Sequence, residues 1–287
     1  MNETPDSKKS QTSLQYIHSW HYDMLINQER SQFYNDLIKD NCKGKIIFEI
    51  GAGSGLLAAL AIKHGAQKVI CCEENPLLAL AAQRLFKRLQ IEDRVQLIAK
   101  NSKDIATNEI PLVDVVLHEL FGSDPFGEEM LPTLADARRF MKPQAIFLPE
   151  KMQIIYQPIR ANHLPQKIFF EDIELIEMTQ LLNQIHPALR VRDWTGLSPE
   201  GFSLPAVSIT ELLDHSYSYV ENNNKLSGVD AVEVSFNIIH QGKKLQAASF
   251  QATEERLHWR PLVFHKLDVA SHQLRFSLKN QIQLMVQ

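Results

Sequence analysis

The sequence predicts an α/β domain with a mostly parallel sheet, followed by a β domain. Between residues 45 and 148, apolar strand patterns alternate with helical patterns, as they do when parallel strands are joined by crossover helices. After Pro149 the pattern changes to alternating apolar and polar residues, which is typical of half-buried antiparallel strands. The chain of 287 residues, 44% of them hydrophobic, is long enough for one large or two ordinary domains.

Glycine and proline residues mark where the elements of the first half begin and end. A strand at 45–50 leads into a glycine-rich turn and an alanine- and leucine-rich helix, which Gly65 ends. Pro76 opens a second helix, because proline fits the first helical turn. The predicted strands are 45–50, 69–72, 95–99, 113–117 and 145–148, and the predicted helices are 56–64, 76–89 and 128–140.

In the second half, residues 152–158 and 232–238 are predicted antiparallel strands, with Gly228 and Gly242 at turns. Residues 169–189 carry apolar side chains at near-helical spacing and predict a small helical insertion.

Composition excludes some classes of function. The net charge of -4, from 30 Lys+Arg and 34 Asp+Glu, gives no electrostatic footprint for nucleic acid but tolerates a basic peptide. The three cysteines are odd in number and lack metal-ligand spacing, so we expect free thiols, no metal site and a cytoplasmic location. The polar N-terminus is followed by no apolar stretch, so we expect neither a signal peptide nor a membrane span.

The glycine turn favours S-adenosylmethionine as the cofactor. The dinucleotide fingerprint needs a glycine three residues after Gly53, and Leu56 stands there, which disfavours NAD or FAD. Gly51 and Gly53 suit a ligand without phosphates, whose carboxylate and amino groups lie on the turn. Glu73 ends the second strand, where it can accept both ribose hydroxyls. In the alternative interpretation, the glycines only turn the chain and Glu73 is a solvated charge.

Asp104 follows the third strand, and we predict that it accepts a hydrogen bond from an adenine amino group. The alternative is an ordinary loop aspartate.

Two glutamates predict a flat, cationic substrate. Glu119 and Glu128 follow the predicted strand 113–117, and a carboxylate just beyond such a strand faces the ligand crevice of an α/β sheet. Two converging carboxylates repel each other unless a positive group lies between them, and a guanidinium binds carboxylates bidentately. The alternative role is capping of the next helix, which Glu129 fits better.

From Tyr16 to the C-terminus the chain resembles the protein arginine methyltransferases. Residues 118–131 resemble their double-glutamate loop, residues 21–25 with Arg30 resemble their N-terminal helix, and residues 257–259 resemble their Thr-His-Trp loop. The glycine turn, Glu73, residues 102–105 and the loop 119–132 look most like the monomethylating branch.

The resemblance implies a fold and a set of roles. The fold is an α/β Rossmann-like class I methyltransferase domain (41–150), preceded by a helical segment that covers the cofactor (1–40) and followed by a β-barrel-like substrate domain (151–287). The implied activity is S-adenosylmethionine-dependent N-methylation of an arginine in a protein or peptide. The implied roles are catalytic for Glu119, Glu128 and His258, cofactor-binding for His21, Arg30, Gly51, Gly53, Glu73 and Asp104, and substrate-binding for Met24 and Trp259.

The chain departs from the family pattern in four places. Glu49 replaces an aspartate before the glycine turn, and Leu257 replaces the loop threonine. Asn27 replaces an aspartate that pairs with the loop histidine, which makes His258 a weaker base. The insertion after Pro158 differs from the family's dimerisation arm, so a homodimer stays open. Two other functions stay open as well: methylation of free arginine or a small guanidine, and an inactive cofactor-binding partner or scaffold.

Overall fold

A computed structural model describes the chain over two domains. The described residues are 17–18, 20–161, 169–170, 173–174, 194–196, 202–222, 231–247, 259, 262–265, 273–278 and 282–286. Leu257, His258 and the predicted turn at Gly228 lie outside these residues. In the described part, no helix is both long and apolar enough to cross a membrane.

The first domain is built on a five-stranded parallel sheet. Its strand order is β3-β2-β1-β4-β5, so the chain runs outward from β1 on one side and then on the other. That reversal places a ligand crevice at the carboxyl ends of β1 and β4. The strands are β1 Ile46–Ile50, β2 Lys68–Cys72, β3 Val95–Ile98, β4 Val113–His118 and β5 Met141–Leu148. The predicted parallel sheet is confirmed.

Five helices accompany this sheet: α1 Trp20–Ile26, α2 Gln28–Asn41, α3 Leu56–Lys63, α4 Pro76–Leu89 and α5 Met130–Ala137. Helix α4 has its predicted bounds, because the Asn75 side chain caps Leu77 and Leu78 N–H and Gln90 ends the helix in the left-handed conformation.

The predicted helix 128–140 is wrong at both ends. Glu129 has φ +54°, which interrupts the helical backbone, so α5 begins at Met130. The last residues tighten into the 3₁₀ helix Arg138–Phe140.

The second domain consists of antiparallel sheet. Its longest strands, β6 and β13, pair with each other and contain the predicted segments 152–158 and 232–238. Further strands flank this pair, and β12, β16 and β17 form a separate sheet. The bounds are β6 Lys151–Ala161, β7 Phe169–Phe170, β8 Ile173–Glu174, β9 Trp194–Gly196, β10 Phe202–Ser203, β11 Val207–Ser208, α6 Ile209–Asp214, β12 Tyr217–Asn222, β13 Ala231–His240, β14 Lys243–Gln246, β15 Leu262–His265, β16 Gln273–Leu278 and β17 Ile282–Val286.

The predicted helical insertion at 169–189 is wrong at its start. β7 and β8 pair as antiparallel strands there, since aromatic and β-branched residues favour strands and the same spacing fits a short hairpin. Residues 175–189 lie outside the described part of the chain.

The strand β13 buries the carboxyl group of Glu233. Glu233 is 1% exposed, and neither of its carboxylate oxygens has a hydrogen-bond partner among the described residues. This burial raises the pKa of Glu233 to about 8. Between the ordinary glutamate pKa of about 4.3 and 8, the folded chain keeps a proton that the unfolded chain releases. The free energy of unfolding therefore falls as pH rises through this window.

Glu233→Gln should thus stabilise the protein more at pH 9 than at pH 5, by about 4 kcal/mol, because the variant has no carboxylate to ionise in the interior. Thermal unfolding at the two pH values measures this difference. Glu92→Gln, in an exposed turn, is the control and should shift Tm equally at both pH values. A Glu233→Gln shift that is the same at pH 5 and pH 9 would contradict the assignment.

Candidate active site

A cavity of about 720 Å³ opens beyond the carboxyl ends of β1, β2 and β4, a size typical of small-molecule sites. It lies where the strand order of the sheet predicts a ligand crevice. The cavity is lined by nine of the predicted site residues: His21, Met24, Arg30, Gly51, Gly53, Glu73, Glu119, Glu128 and Trp259.

The glycine turn is held by backbone and carboxylate contacts. Gly55 has φ +82°, and a Cβ there would lie 2.7 Å from the Phe86 ring, so a side chain is excluded. Glu73 accepts hydrogen bonds from the N–H groups of Gly53 and Asn75, both at 2.8 Å. These contacts hold the carboxylate at the cavity, where it can accept a ligand hydroxyl. Burial raises the pKa of Glu73.

Asp104 is not brought to the cavity. It lies on the 3₁₀ helix Ser102–Asp104 after β3, with an exposed side chain, and its contact with an adenine stays a prediction. The adjacent Asn101 instead connects this segment to the cavity, because its Nδ2 donates to Oε2 of the lining residue Glu74 at 2.8 Å.

Glu119 forms a buried ion pair inside the cavity. Its Oε2 lies 2.5 Å from Nη2 of Arg30, and the two side chains are 6% and 4% exposed. Burial raises the pKa of Glu119 to about 7, while the positive charge of Arg30 lowers it and the charge of Glu128 raises it. The sequence alone did not predict this ion pair.

Asn27 positions Arg30. Its Oδ1 accepts a hydrogen bond from the Arg30 N–H at 2.9 Å and caps the N-terminus of α2. An amide therefore caps this helix.

The loop after β4 turns back and places Glu128 at the cavity. The Gly127 N–H donates to the Asp124 carbonyl oxygen at 2.9 Å and closes the turn. Gly122 lies directly against Glu128, since a Cβ at Gly122 would lie 3.5 Å from Glu128 Cγ and 2.9 Å from the Asp124 carbonyl oxygen. Partial burial raises the pKa of Glu128.

Gly122→Ala should displace Glu128, because the added methyl group meets backbone that cannot rotate away. If Glu128 binds the substrate, the KM for that substrate should rise roughly tenfold, a cost of about 1.4 kcal/mol. Steady-state kinetics measures this. Gly242→Ala is the control, because its Cβ would meet nothing within 4 Å; it should leave KM unchanged while costing stability at its positive φ. An unchanged KM in Gly122→Ala would contradict the placement of Glu128.

The β domain contributes Trp259. Its side chain is 2% exposed, its Nε1–H donates to the Phe121 carbonyl oxygen at 2.5 Å, and its ring packs edge-on against Phe236. The loop between β4 and α5 carries Glu119 and Glu128 and is called the glutamate loop. These contacts hold the glutamate loop against the β domain. The neighbouring His258, predicted to be catalytic, lies outside the described residues.

Two further ionisable side chains lie at the site or next to it in the chain. Glu49 lines the cavity, is 1% exposed, and has a pKa raised by burial to about 8. His118, at the end of β4, is fully buried, and burial lowers its pKa to about 4. Its Nε2 donates to the Pro149 carbonyl oxygen at 3.2 Å. The sequence signal for both is an ionisable residue at the end of an apolar strand.

Comparison with known proteins finds a family that the first half of the chain resembles. Residues 11–148 match the family described as PRMT5 arginine-N-methyltransferase. This part of the chain is similar to the arginine N-methyltransferases. The match includes the glycine turn, Arg30 and both loop glutamates.

Three curated relatives show the same similarity. The arginine N(omega)-methyltransferase of Streptomyces achromogenes subsp. streptozoticus is 32% identical over 149 residues, which are 50% of this chain and 41% of that protein. Protein arginine N-methyltransferase PRMT10 of Oryza sativa subsp. japonica is 29% identical, over 56% of this chain and 42% of that protein. The probable protein arginine N-methyltransferase 1.2 of Arabidopsis thaliana is 25% identical, over 87% of this chain and 71% of that protein. The chain thus spans less than half the length of the first two relatives.

Solved arginine methyltransferases share the fold of both domains. The Trypanosoma brucei PRMT1 enzyme-prozyme heterotetrameric complex with AdoHcy aligns with a TM-score of 0.74 at 21% identity, over 92% of this chain and 88% of that chain. Arabidopsis thaliana protein arginine methyltransferase 10 aligns with a TM-score of 0.67 at 19% identity, over 90% and 86%. The predicted fold class, a Rossmann-like methyltransferase domain followed by a β-barrel-like domain, is confirmed.

Proposed function

We propose that the protein transfers a methyl group from S-adenosylmethionine to an arginine guanidinium of a protein or peptide, with Glu119 and Glu128 binding the guanidinium. One observation carries the proposal: among the described residues that line the cavity, six are acidic and one is an arginine. The acidic ones are Asp23, Glu49, Glu73, Glu74, Glu119 and Glu128. A sulfonium donor and a guanidinium acceptor are both cations, and such a lining attracts both.

The residues fit a methyl donor. The relatives' structures support this, since the Trypanosoma brucei enzyme was solved with AdoHcy and a PRMT6 with SAH. Arg30 is suited to the donor's carboxylate, because its Nε is buried and has no hydrogen-bond partner in the described part of the chain. Glu73 is suited to the ribose hydroxyls, and Gly51 and Gly53 leave room for the methionine moiety. When bound, S-adenosylmethionine supplies the methyl group as an electrophile.

The two glutamates act by orientation. Removing a proton from a free guanidinium at neutral pH would cost about 8 kcal/mol, so we place proton loss after methyl transfer. Glu119 and Glu128 accept hydrogen bonds from the guanidinium, localise its charge away from one terminal nitrogen, and aim that nitrogen at the methyl carbon. The released proton goes to a glutamate or to His258, and Glu119 is one such acceptor, because burial raises its pKa in the empty site.

A bound donor would share Arg30 with Glu119. Nη2 of Arg30 contacts Glu119 in this structure, and the donor's carboxylate would bind the same guanidinium, whose Nε has no partner among the described residues. A weaker contact with Arg30 would leave more lone pairs of Glu119 for the substrate.

Free arginine is a second candidate acceptor. The Streptomyces achromogenes relative is named an arginine N(omega)-methyltransferase, which favours this alternative. A free amino acid also carries an α-carboxylate, and Arg30 is the only arginine or lysine among the described lining residues. Since the donor would use Arg30, the lining favours a peptide acceptor, which has no carboxylate at that position.

An inactive partner subunit is the third candidate. The Trypanosoma brucei relative was solved as an enzyme-prozyme complex, so subunits can differ in role in that protein. The presence of Glu119 and Glu128 in an intact cavity supports an active subunit instead. A homodimer is compatible with this proposal. The three buried, free cysteines support the expected cytoplasmic location.

The test is incubation with S-adenosylmethionine labelled in its methyl group, offered separately with an arginine-rich peptide and with free arginine. We expect label in the peptide, with the mass of each product giving the number of methyl groups. Label in free arginine alone would select the small-molecule function. Label in neither pool would favour the inactive partner.

A further inference from the structure

Arg139 fastens the turn beyond β3 to the end of α5. Its Nη1 donates to the Ile105 carbonyl oxygen at 2.6 Å and its Nη2 to the Ser102 carbonyl oxygen at 3.2 Å. Its Nε lies 3.1 Å from Asp136 Oδ1, and its guanidinium carbon lies 4.0 Å from the centroid of the Phe140 ring. Hydrogen bonds from a guanidinium are among the stronger ones, and its fork shape suits two carbonyl acceptors.

The same turn, residues 101–105, has two other attachments. Asn101 donates to Glu74, which lines the cavity, as described above. Lys103 Nζ lies 2.5 Å from Oε2 of Glu129, the residue that follows Glu128. The turn is therefore bonded on one side to the cavity wall and on the other side to the glutamate loop.

The backbone of Glu129 supports a positioning role for these contacts. Its φ of +54° is unfavourable for a residue with a side chain, so tertiary contacts must hold it. The ion pair with Lys103 is exposed, so it contributes at most about 1 kcal/mol by itself. Arg139 is more buried and fixes the segment from which Lys103 extends.

We propose that Arg139 is a positioning residue that holds residues 101–105 between the methyl-donor end of the cavity and Glu128, and so couples binding of the donor to binding of the acceptor. The proposal rests on the proposed function, because it takes the cavity as the donor site and Glu128 as an acceptor contact. Arg139 itself touches neither reactant. Because coupling is reciprocal, each ligand should tighten the binding of the other.

Arg139→Gln tests the proposal, with Arg138→Gln as the matched control. Arg138 is the adjacent arginine, and its guanidinium contacts Asp214 and the Thr210 carbonyl oxygen but none of residues 101–105. Both variants lose one positive charge from the same 3₁₀ helix. We expect Arg139→Gln to raise the Kd of S-adenosylhomocysteine roughly tenfold, as the loss of two charged hydrogen bonds implies. Arg138→Gln should change it by less than about twofold.

The coupling itself is measured by calorimetry with an arginine-containing peptide, with and without S-adenosylhomocysteine. We expect the wild type to bind the peptide more tightly when S-adenosylhomocysteine is present, and this ratio to fall toward one in Arg139→Gln but not in Arg138→Gln. A loss of stability alone would lower Tm and the active fraction without changing the ratio. Equal Kd values and equal ratios in the two variants would overturn the proposal.

Lys103→Gln provides a second test if Arg139→Gln fails to fold, because Lys103 is exposed. It should raise the acceptor KM by about threefold and leave the Kd of S-adenosylhomocysteine unchanged. An unchanged acceptor KM would then overturn the proposal. A wild type that does not bind S-adenosylhomocysteine at all would contradict the proposed function first, and this outcome is distinct from unchanged binding in the variants.

Discussion

Glu119→Gln and Glu128→Gln should each lower the rate of methyl transfer by about 10³-fold while binding of the methyl donor survives. Glutamine has nearly the same shape, but it offers one acceptor oxygen and presents an NH₂ group to a guanidinium that has only donors. Loss of one charged partner in a buried site costs about 3–5 kcal/mol, which accounts for the size of the effect. The rate is measured under single-turnover conditions with a saturating acceptor peptide.

The two variants should differ in donor affinity. In Glu119→Gln, Arg30 loses its intramolecular partner, so the Kd of S-adenosylhomocysteine should stay the same or fall. In Glu128→Gln the Arg30 pair is intact, so this Kd should not change. Glu92→Gln, far from the cavity lining, is the control for the loss of a glutamate charge. Near-normal turnover in Glu119→Gln or in Glu128→Gln would show that the glutamates do not bind the guanidinium in this way.

The first domain was predictable because its signals are local. Helix α4 combines a proline, an asparagine cap and a regular apolar face, and its predicted bounds agree with the structure. Helix α5 was mispredicted at its start because the left-handed backbone of Glu129 depends on how the loop folds, and no residue type required it. The start of the insertion was mispredicted because a short apolar run fits a helix and a hairpin equally well.

The lining of the cavity was predictable from the sequence, but the contacts between its residues were not. The glycine turn and the strand-end acids Glu73 and Glu119 follow from the carboxyl edge of the sheet, so sequence position sufficed to place them. The Arg30–Glu119 pair joins residues 89 positions apart, and no spacing rule connects them. Asp104 lies on an exposed 3₁₀ turn after β3 and is not among the cavity-lining residues, so its contact with an adenine stays a prediction.

Arg30→Gln should weaken donor binding and also shift the pH dependence of catalysis. Arg30 supplies the positive charge that lowers the pKa of Glu119 against the larger effect of burial. Removing the guanidinium leaves Glu119 among other lining carboxyl groups, so its pKa should rise above its present value of about 7. The Kd of S-adenosylhomocysteine should rise by about 100-fold, because the donor's carboxylate loses its cation.

The direction of the pH effect follows from the protonation state in which Glu119 binds the guanidinium. Only ionised Glu119 accepts two hydrogen bonds from a guanidinium, so wild-type activity should fall as pH drops below about 7 and level off above it. With both reactants below their KM values, kcat/KM reports groups of the free enzyme, and its inflection should move to higher pH in Arg30→Gln. Arg30→Lys keeps the charge and should retain the wild-type inflection while losing part of the donor affinity. If the inflection stayed in place in Arg30→Gln, the titrating group would be something other than Glu119, and the ion pair would serve only to order the empty site.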